Sequence, residues 1–375
     1  MKSDYSFTRN QVLALCTSCF LVPALRLFPA STAQLAGRAA WLAAPAALPV
    51  LLIYVYFLCR LMSCAQEGQG LAELSISVLG PKWAKVYLGI FAFWFIFYGG
   101  FVLRTGADRL ITTIYPYTSS HFFVISLGIV CIIAALCPAR TIVRTAKLIL
   151  PAVLGFLFLI LIFALLSVDK SNLLPVSVFD VFPIFKASFA SVNVCVGVLY
   201  SACFLGGMIK DQKSRFGAYT LWLVFSTVIL CFLNMAITGC FGPDLTARLS
   251  RPFFALVRSI VFFRTVERVE ALMVSLWLFP DFLMVALVLF CAQHCIRLVA
   301  GYKTENSGQK LLDMKQGRWL IPLCGIAAIL FGLFIASDPI RLDIWSEKIV
   351  PYINLGFAFI FVPLLYIVGK IRKAL

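Results

Sequence analysis

Charge-free apolar stretches recur along the whole chain, and each is about twenty residues long, enough to cross the hydrocarbon core of a bilayer as a helix. Two of them, residues 10–33 and 270–296, are interrupted by a proline and a charged residue. The pattern predicts an all-α polytopic membrane protein with about ten transmembrane helices. The uninterrupted stretches are residues 41–59, 86–103, 122–139, 148–168, 187–209, 216–243, 319–337 and 349–369.

The composition excludes a soluble globule. Hydrophobic residues make up 62% of the 375 residues and charged residues 13%, which leaves too little polar surface to cover a water-soluble fold. The segments between the predicted spans are short, and the longest polar one, residues 301–318, cannot hold a folded domain. We therefore expect one integral membrane domain over residues 1–375, embedded in the lipid bilayer.

The net charge of +16 has an ordinary explanation in a membrane protein. Lysine and arginine between spans determine topology, because basic loops stay on the cytoplasmic side. Placing both termini in the cytoplasm puts most basic clusters on that side. We accordingly expect no nucleic-acid partner.

The 13 cysteines lie mostly inside apolar stretches, where a thiol behaves as a small hydrophobic group. Cys16 and Cys19 have the spacing of a redox motif, and Cys291, His294 and Cys295 fit one helical face as metal ligands. Neither set has the flanking residues that such sites need. We expect packing roles, with no metal and no cofactor.

Helix-breaking residues point to a site, because backbone polar groups interrupted at membrane depth must be buried in protein or line a cavity. Such residues occur in the first, third, sixth and eighth spans. These positions match in pairs if the ten helices form two inverted five-helix repeats, about 7–168 and 180–370, with the first and sixth helices discontinuous. The candidate ligand-binding residues are Phe20, Val22, Pro23 and Ala24 in the first span, Tyr98 in the third, Asn193, Gly197 and Tyr200 in the sixth, and Trp277 and Asp281 in the eighth. The alternative is that proline and glycine merely kink or pack these helices.

Asp281 is the strongest candidate among these residues. A charged residue in the middle of a membrane helix costs about 2.5–3.5 kcal/mol on insertion scales, so it needs a partner or water. It either faces an aqueous cavity, where it meets a cationic group or a proton, or pairs with an arginine elsewhere. Arg104 and Asp108 are four residues apart on one helical face and can satisfy each other. Arg26 is expected to extend to the outer interface.

One segment carries a family resemblance. Residues 251–260 (RPFFALVRSI) are followed by 267–272 (ERVEAL), and weaker matches occur at 36–41 (AGRAAW), 71–74 (LAEL) and 172–176 (NLLPV). In this order the segments resemble the endospore germination permeases, the B subunits of nutrient germinant receptors. The resemblance runs from about Phe7 to the C-terminus.

The resemblance implies the inverted five-plus-five, LeuT/APC-like fold of the amino acid–polyamine–organocation transporters. It also implies a role in sensing a small nutrient, commonly an amino acid, beside an A-type subunit and a lipoprotein C-type subunit in the spore inner membrane. The chain departs from the family pattern at two places. The first-span segment lacks the usual glycines, and Val198 stands where an acid is expected in many relatives. The ligand is therefore expected to be different or less polar, or ligand binding is lost.

The segment that enters the eighth span is rich in charge. Mutual ion pairing that fixes an outer gate is our preferred role for it, over direct ligand contact. The residues concerned are Arg258, Arg264, Glu267, Arg268 and Glu270.

Three functions remain open from the sequence. The first is a receptor subunit that binds a nutrient between the first, third, sixth and eighth spans and signals germination. The second is a proton- or sodium-coupled transporter of amino acids or polyamines that uses the same cavity. The third is a structural or ion-conducting subunit. The sequence shows no phosphate loop, catalytic triad or zinc motif, so we do not expect an enzyme, and it does not identify the ligand.

Overall fold

The structure is a computed structural model that describes residues 7–26, 28–65, 69–208, 216–259, 269–301, 317–335 and 339–372. Its regular elements over these ranges are helices. Within the described ranges, seven helical segments are long and apolar enough to span a membrane, and two shorter apolar helices, Ser120–Leu136 and Leu320–Ile335, accompany them. Every one of the ten predicted stretches contains helix, so the prediction of an all-α polytopic membrane protein is confirmed.

The described helices are numbered in chain order. They are α1 (Arg9–Arg26), α2 (Phe28–Ala36), α3 (Ala43–Ser63), α4 (Leu71–Leu79), α5 (Pro81–Thr113), α6 (Ser120–Leu136), α7 (Ala139–Leu166), α8 (Val181–Phe204), α9 (Phe216–Phe241), α10 (Pro243–Arg248), α11 (Pro252–Ser259), α12 (Val269–Val299), α13 (Leu320–Ile335), α14 (Pro339–Ile344), α15 (Val350–Gly356) and α16 (Val362–Ile371).

Two long helices form the centre of the molecule. In α5 and α12, 61% and 67% of the most apolar window is buried in protein, against 28% in α7. α5 approaches α13 closely at Gly100, where an added Cβ would lie 2.4 Å from the carbonyl oxygen of Ala328. Gly99 and Gly100 thus serve helix packing, which glycine allows in membrane bundles by bringing backbones together.

The first span is not interrupted at the predicted place. α1 continues through Pro23 to Arg26, and α2 begins at Phe28, so residues 20–24 are helical. A proline inside a helix removes one backbone hydrogen bond but need not end the helix where the surroundings satisfy the remaining polar groups.

The sixth predicted span is helical at two of its expected weak points and interrupted at the third. α8 runs through Asn193 and Gly197 to Phe204, and a 3-10 turn at Gly206–Met208 follows, so the interruption is at the glycine pair 206–207. α12 likewise continues through Pro280. Packing against neighbouring helices holds these residues in helical geometry, which sequence propensity alone does not foresee.

The last span, Arg341–Ile371, is irregular. α15 is flanked by two π-helical turns, Trp345–Ile349 and Phe357–Phe361. Single π turns within membrane helices are frequently found at functional sites. The limits of the two inverted repeats, about 7–168 and 180–370, stay a prediction.

Candidate ligand pocket

A small pocket lies where α1, α5, α8, α12 and the last span meet. Its volume is about 30 Å³, which is room for about two water molecules, whereas pockets for small ligands are commonly about 300–1,000 Å³. The pocket is therefore closed in this structure. Its lining residues are Val22, Pro23, Arg26, Tyr98, Phe101, Val102, Thr105, Asn193, Val194, Gly197, Val198, Met284, Val350, Pro351 and Asn354.

Half of the predicted ligand-binding residues line this pocket. They are Val22, Pro23, Tyr98, Asn193 and Gly197. Tyr200 lies one hydrogen bond away from the lining, as its hydroxyl donates to Asn354. The structure thus brings together side chains from the first, third and sixth predicted spans.

Four predicted residues lie elsewhere. Phe20 is fully buried and packs edge-on against Trp222, with ring centroids 5.8 Å apart. Trp277 packs against Phe253 of α11 with centroids 6.2 Å apart. Ala24 is fully buried in α1, outside the lining. Asp281, the fourth, is also outside the lining and is paired within the protein.

Asp281 forms a buried salt bridge with Arg109. The Nη2 atom of Arg109 lies 2.6 Å from Oδ2 of Asp281, and the two side chains are 6% and 7% exposed. Of the two roles considered for Asp281, the geometry favours that of a buried partner for an arginine, because a paired carboxylate needs no aqueous cavity.

A chain of hydrogen bonds closes the pocket from the side of the last span. Trp94 donates through Nε1 to the Tyr200 hydroxyl over 2.7 Å, and that hydroxyl donates to Oδ1 of Asn354 over 2.7 Å. Nδ2 of Asn354 then donates to Oδ1 of Asn193 over 2.8 Å and to its carbonyl oxygen over 3.0 Å. Gly197 makes room for this amide, since a Cβ there would lie 2.8 Å from Nδ2 of Asn354.

Asn354 was missed by the sequence reasoning. It is only 7% exposed and sits between the two π-helical turns. The signal was present in the sequence, because a carboxamide inside an apolar span must find polar partners. The prediction weighted helix breakers in the first and sixth spans and passed over this residue.

Arg26 supplies the charge of the pocket. It does not extend to the interface as expected, but lines the pocket, donates to the hydroxyl of Ser346 and places its Cζ 5.0 Å from the centroid of the Phe101 ring. Among the described lining residues it is the one charged side chain. A hydrogen-bonding partner in the last span and an aromatic face hold the guanidinium inside the protein.

Further ionic contacts lie toward the C-terminal end of α5. Asp108 pairs with Arg251, which also contacts the hydroxyl of Thr112, and Arg258 donates to the Thr112 carbonyl over 3.2 Å. Arg264, Glu267 and Arg268 fall outside the described residues, and the side chain of Glu270 does as well. Their proposed gating role stays a prediction.

An ionic contact also lies at the opposite end of α5. Oε1 of Glu73, in α4, is 2.7 Å from Nε2 of His294, and Oε2 accepts from the Gly70 backbone N–H over 2.9 Å. Burial acts to raise the pKa of Glu73, but the charge and hydrogen bond of His294 and the backbone N–H groups outweigh it, so the pKa is lowered. Over the described residues, no group of three or more His, Cys, Asp or Glu side chains is placed to hold a metal ion.

Comparison with known proteins identifies the family. The model of the family described as "Spore germination protein" matches residues 7–340. The chain belongs to the spore germination protein family. A relative in this family is spore germination protein KB of Bacillus subtilis (strain 168), 22% identical over 344 residues, which are 91% of this chain and 89% of the relative.

Two solved transporters share the fold of this spore germination protein. One is Mhp1, a nucleobase-cation-symport-1 family transporter in a closed conformation with bromovinylhydantoin bound, with a TM-score of 0.64 and 14% identity over 98% of this chain and 80% of that one. The other is a Na⁺-coupled sialic acid symporter in a substrate-bound outward-open state, with a TM-score of 0.55 and 11% identity over 98% and 87%. The expected LeuT/APC-like fold is confirmed.

Val198 gains significance from its position. It lines the pocket and is 1% exposed. Position 198 is the one at which an acidic residue was expected in many members of the family. It lies in the pocket wall, and valine makes the wall apolar there.

Proposed function

We propose that this chain is the ligand-binding subunit of a spore nutrient germinant receptor. The ligand is an amino acid or a similar small nutrient, bound in the pocket between α1, α5, α8 and α15. The observation that carries the proposal is a buried polar network, Tyr200–Asn354–Asn193, beside a single cation, Arg26, in a family of spore germination proteins with a transporter fold.

The chemistry of the lining favours a ligand that carries a carboxylate. The guanidinium of Arg26 offers charged donors, and a hydrogen bond to a charged group contributes about 1.5–3 kcal/mol. Asn193 and Asn354 offer amide donors and acceptors for a second polar group. Tyr98, Phe101 and Val198 supply apolar walls, and the absence of an acid at 198 disfavours a strongly cationic ligand.

Ligand entry requires the pocket to widen. At about 30 Å³ the closed pocket does not accommodate an amino acid, so the ligand must displace the Asn354 amide or move the last span. A ligand that binds the widened state better than the closed one shifts the equilibrium between them. We propose that this shift is the germination signal, passed to partner subunits by their different contacts with the two states.

The partners in this proposal are an A-type subunit and a lipoprotein C-type subunit in the spore inner membrane. Both termini face the cytoplasm, as the distribution of basic residues suggests. The chain performs no enzymatic step in this scheme, since binding alone provides the free energy of the switch.

Substitutions at two separate glycines, Gly197 and Gly155, test whether the ligand binds in this pocket. Gly197→Leu places a side chain against Asn354, whereas Gly155→Leu adds the same volume in α7, where no atom lies within 4 Å of the added Cβ. Amino acids and nucleosides are screened against the purified chain by isothermal calorimetry. We expect at least one ligand to bind wild type and the Gly155→Leu variant and not the Gly197→Leu variant. Equal binding to both variants would show that the ligand site is elsewhere.

The second candidate is a coupled transporter, and the shared fold with two symporters favours it. A proton- or sodium-coupled transporter for amino acids or polyamines would cycle the same pocket. Proteoliposomes that contain this chain alone are tested for uptake of a radiolabelled ligand. Uptake that depends on a proton or sodium gradient would show that the chain is a transporter. Ligand binding without uptake would support the receptor function.

A further inference from the structure

A second cavity lies away from the ligand pocket, between α3 and the last span. Its volume is about 200 Å³, and aliphatic and aromatic side chains line it. Three of these, Ile53, Phe57 and Phe359, are 58%, 46% and 40% exposed, so the cavity is a groove open to the surface that faces the bilayer. Its lining is Val50, Ile53, Tyr54, Phe57, Leu58, Leu61, Phe359, Val362, Pro363 and Tyr366.

The groove runs along α3, one of the helices long and apolar enough to cross a membrane. On α3 its lining runs from Val50 to Leu61, which at 1.5 Å per residue is about 16 Å. The hydrocarbon core is about 30 Å thick, so one leaflet is about 15 Å deep. The length of the groove is therefore that of one acyl chain in one leaflet.

The two walls run in the same direction and end in basic residues. Tyr54 contacts Phe359 and Phe57 contacts Tyr366, with ring centroids 5.3 and 6.1 Å apart, so α3 and α16 are parallel. One turn beyond the aromatic pair on each helix lies an exposed cation, Arg60 on α3 and Lys370 on α16. Both cations therefore lie at the same end of the groove.

The basic residues are oriented by aromatic rings. Cζ of Arg60 is 6.0 Å from the centroid of Tyr56, and Nζ of Lys370 is 5.3 Å from that of Tyr366. Within the described part of the chain, neither takes part in an ion pair. An anionic lipid is complementary to this arrangement, because its head group matches the two exposed cations and its acyl chain matches the apolar groove.

We propose that this groove binds an anionic phospholipid, with one acyl chain between α3 and the last span and the phosphate at Arg60 and Lys370. The groove begins at Phe359, five residues after Asn354 on the same span. A lipid in the groove contacts the span whose amide closes the ligand pocket, so lipid occupancy and pocket opening act on one helix.

The test uses the full chain in nanodiscs with equal amounts of phosphatidylglycerol and phosphatidylcholine, and native mass spectrometry of the lipids retained on extraction. We expect wild type to retain phosphatidylglycerol preferentially. The double variant Arg60→Gln/Lys370→Gln is expected to reduce that preference at least about tenfold, since each basic residue near the membrane surface contributes roughly a factor of five. The matched control is Arg144→Gln/Lys147→Gln, an exposed basic pair near the start of α7, which should keep the preference.

A second pair of variants tests whether an acyl chain occupies the apolar groove. Ile53→Trp fills the groove and should remove the retained lipid, while Ile129→Trp on the exposed face of α6 should not. All variants are compared at equal thermal stability and elution volume. The proposal is overturned if wild type retains both lipids equally, if the preference survives Arg60→Gln/Lys370→Gln, or if the α7 control loses it equally.

A photo-crosslinking amino acid at position 53 distinguishes the other occupants. Adducts with lipid support the proposal. An adduct with a second copy of this chain or with another membrane protein would show that a helix, and not a lipid, fills the groove.

Discussion

Arg109 and Asp281 join the two central helices through a buried ion pair, with Nη2 and Oδ2 separated by 2.6 Å. The same guanidinium lies 5.6 Å from the centroid of Phe254 in α11. One arginine thus connects α5, α12 and α11. In an environment with little water, such a pair is costly to break from one side, because the remaining charge is left without a partner.

Asp281→Asn is expected to destabilise the protein by about 3–5 kcal/mol, the usual cost of leaving one member of a buried ion pair unpaired. Replacing both members, as Arg109→Met with Asp281→Leu, should recover much of this loss. The measurement is thermal unfolding in detergent, with the exposed Asp244→Asn as a control. If Asp281→Asn melts like wild type but no longer binds ligand, Asp281 belongs to the binding site after all.

Gly100→Ala should separate α5 from α13. The added Cβ would meet the Ala328 carbonyl oxygen at 2.4 Å and the Gly332 nitrogen at 2.9 Å, and backbone atoms cannot rotate away. We expect a loss of about 1–3 kcal/mol, as for other overpacked sites. Gly89→Ala in the same helix meets no atom within 4 Å and should be neutral or stabilising by up to about 1 kcal/mol. Equal melting temperatures for the two variants would argue against the close approach.

Arg26→Gln should weaken ligands that carry a carboxylate and spare their carboxamide analogues. The loss of a hydrogen bond to a charged group costs about 1.5–3 kcal/mol, or roughly 10- to 150-fold in affinity. Calorimetry on the purified variant with a ligand and its amide measures the difference. Arg248→Gln, at an exposed position in α10, is the control and should leave both affinities unchanged. An equal loss for acid and amide would place the carboxylate elsewhere.

Acid should weaken the contact between α4 and α12. Glu73 has a lowered pKa in the folded protein, so its stabilising contribution is complete above the ordinary value of 4.5 and is lost as the pH falls through the lowered pKa. The melting temperatures of wild type and Glu73→Gln should therefore differ at neutral pH, and the difference should shrink as the pH falls below 4.5 and through the lowered pKa. A constant difference across the range would show that the charge of Glu73 does not stabilise the fold.

The helices and half of the pocket could be predicted from the sequence. Apolar length alone placed all ten stretches, because the bilayer requires it. Pro23 and Gly197, singled out as helix breakers, do line the pocket, although α1 and α8 pass through them without a break. Such a residue removes only one local hydrogen bond or one side chain, and the long-range contacts that compensate for it are not visible in the local sequence.

The errors share that cause. Arg26 was assigned to the interface by its position near a helix end, while its partner Ser346 is 320 residues away in the chain. Asn354 was overlooked because its neighbours Asn193 and Tyr200 are more than 150 residues away, with separations of 161 and 154. A rule that every amide inside an apolar span demands a partner would have found it.

The two π-helical turns around α15 have a mechanical consequence. Each π-helical turn contains one residue more than a regular α-helical turn. If one extra residue moves from one end of Val350–Gly356 to the other, the segment rotates by about 100°, the rotation per residue of an α-helix. Such a twist would swing Asn354 out from between its partners while both ends of the span stay anchored. A span built this way can open the pocket by local rotation, without sliding a helix through the membrane.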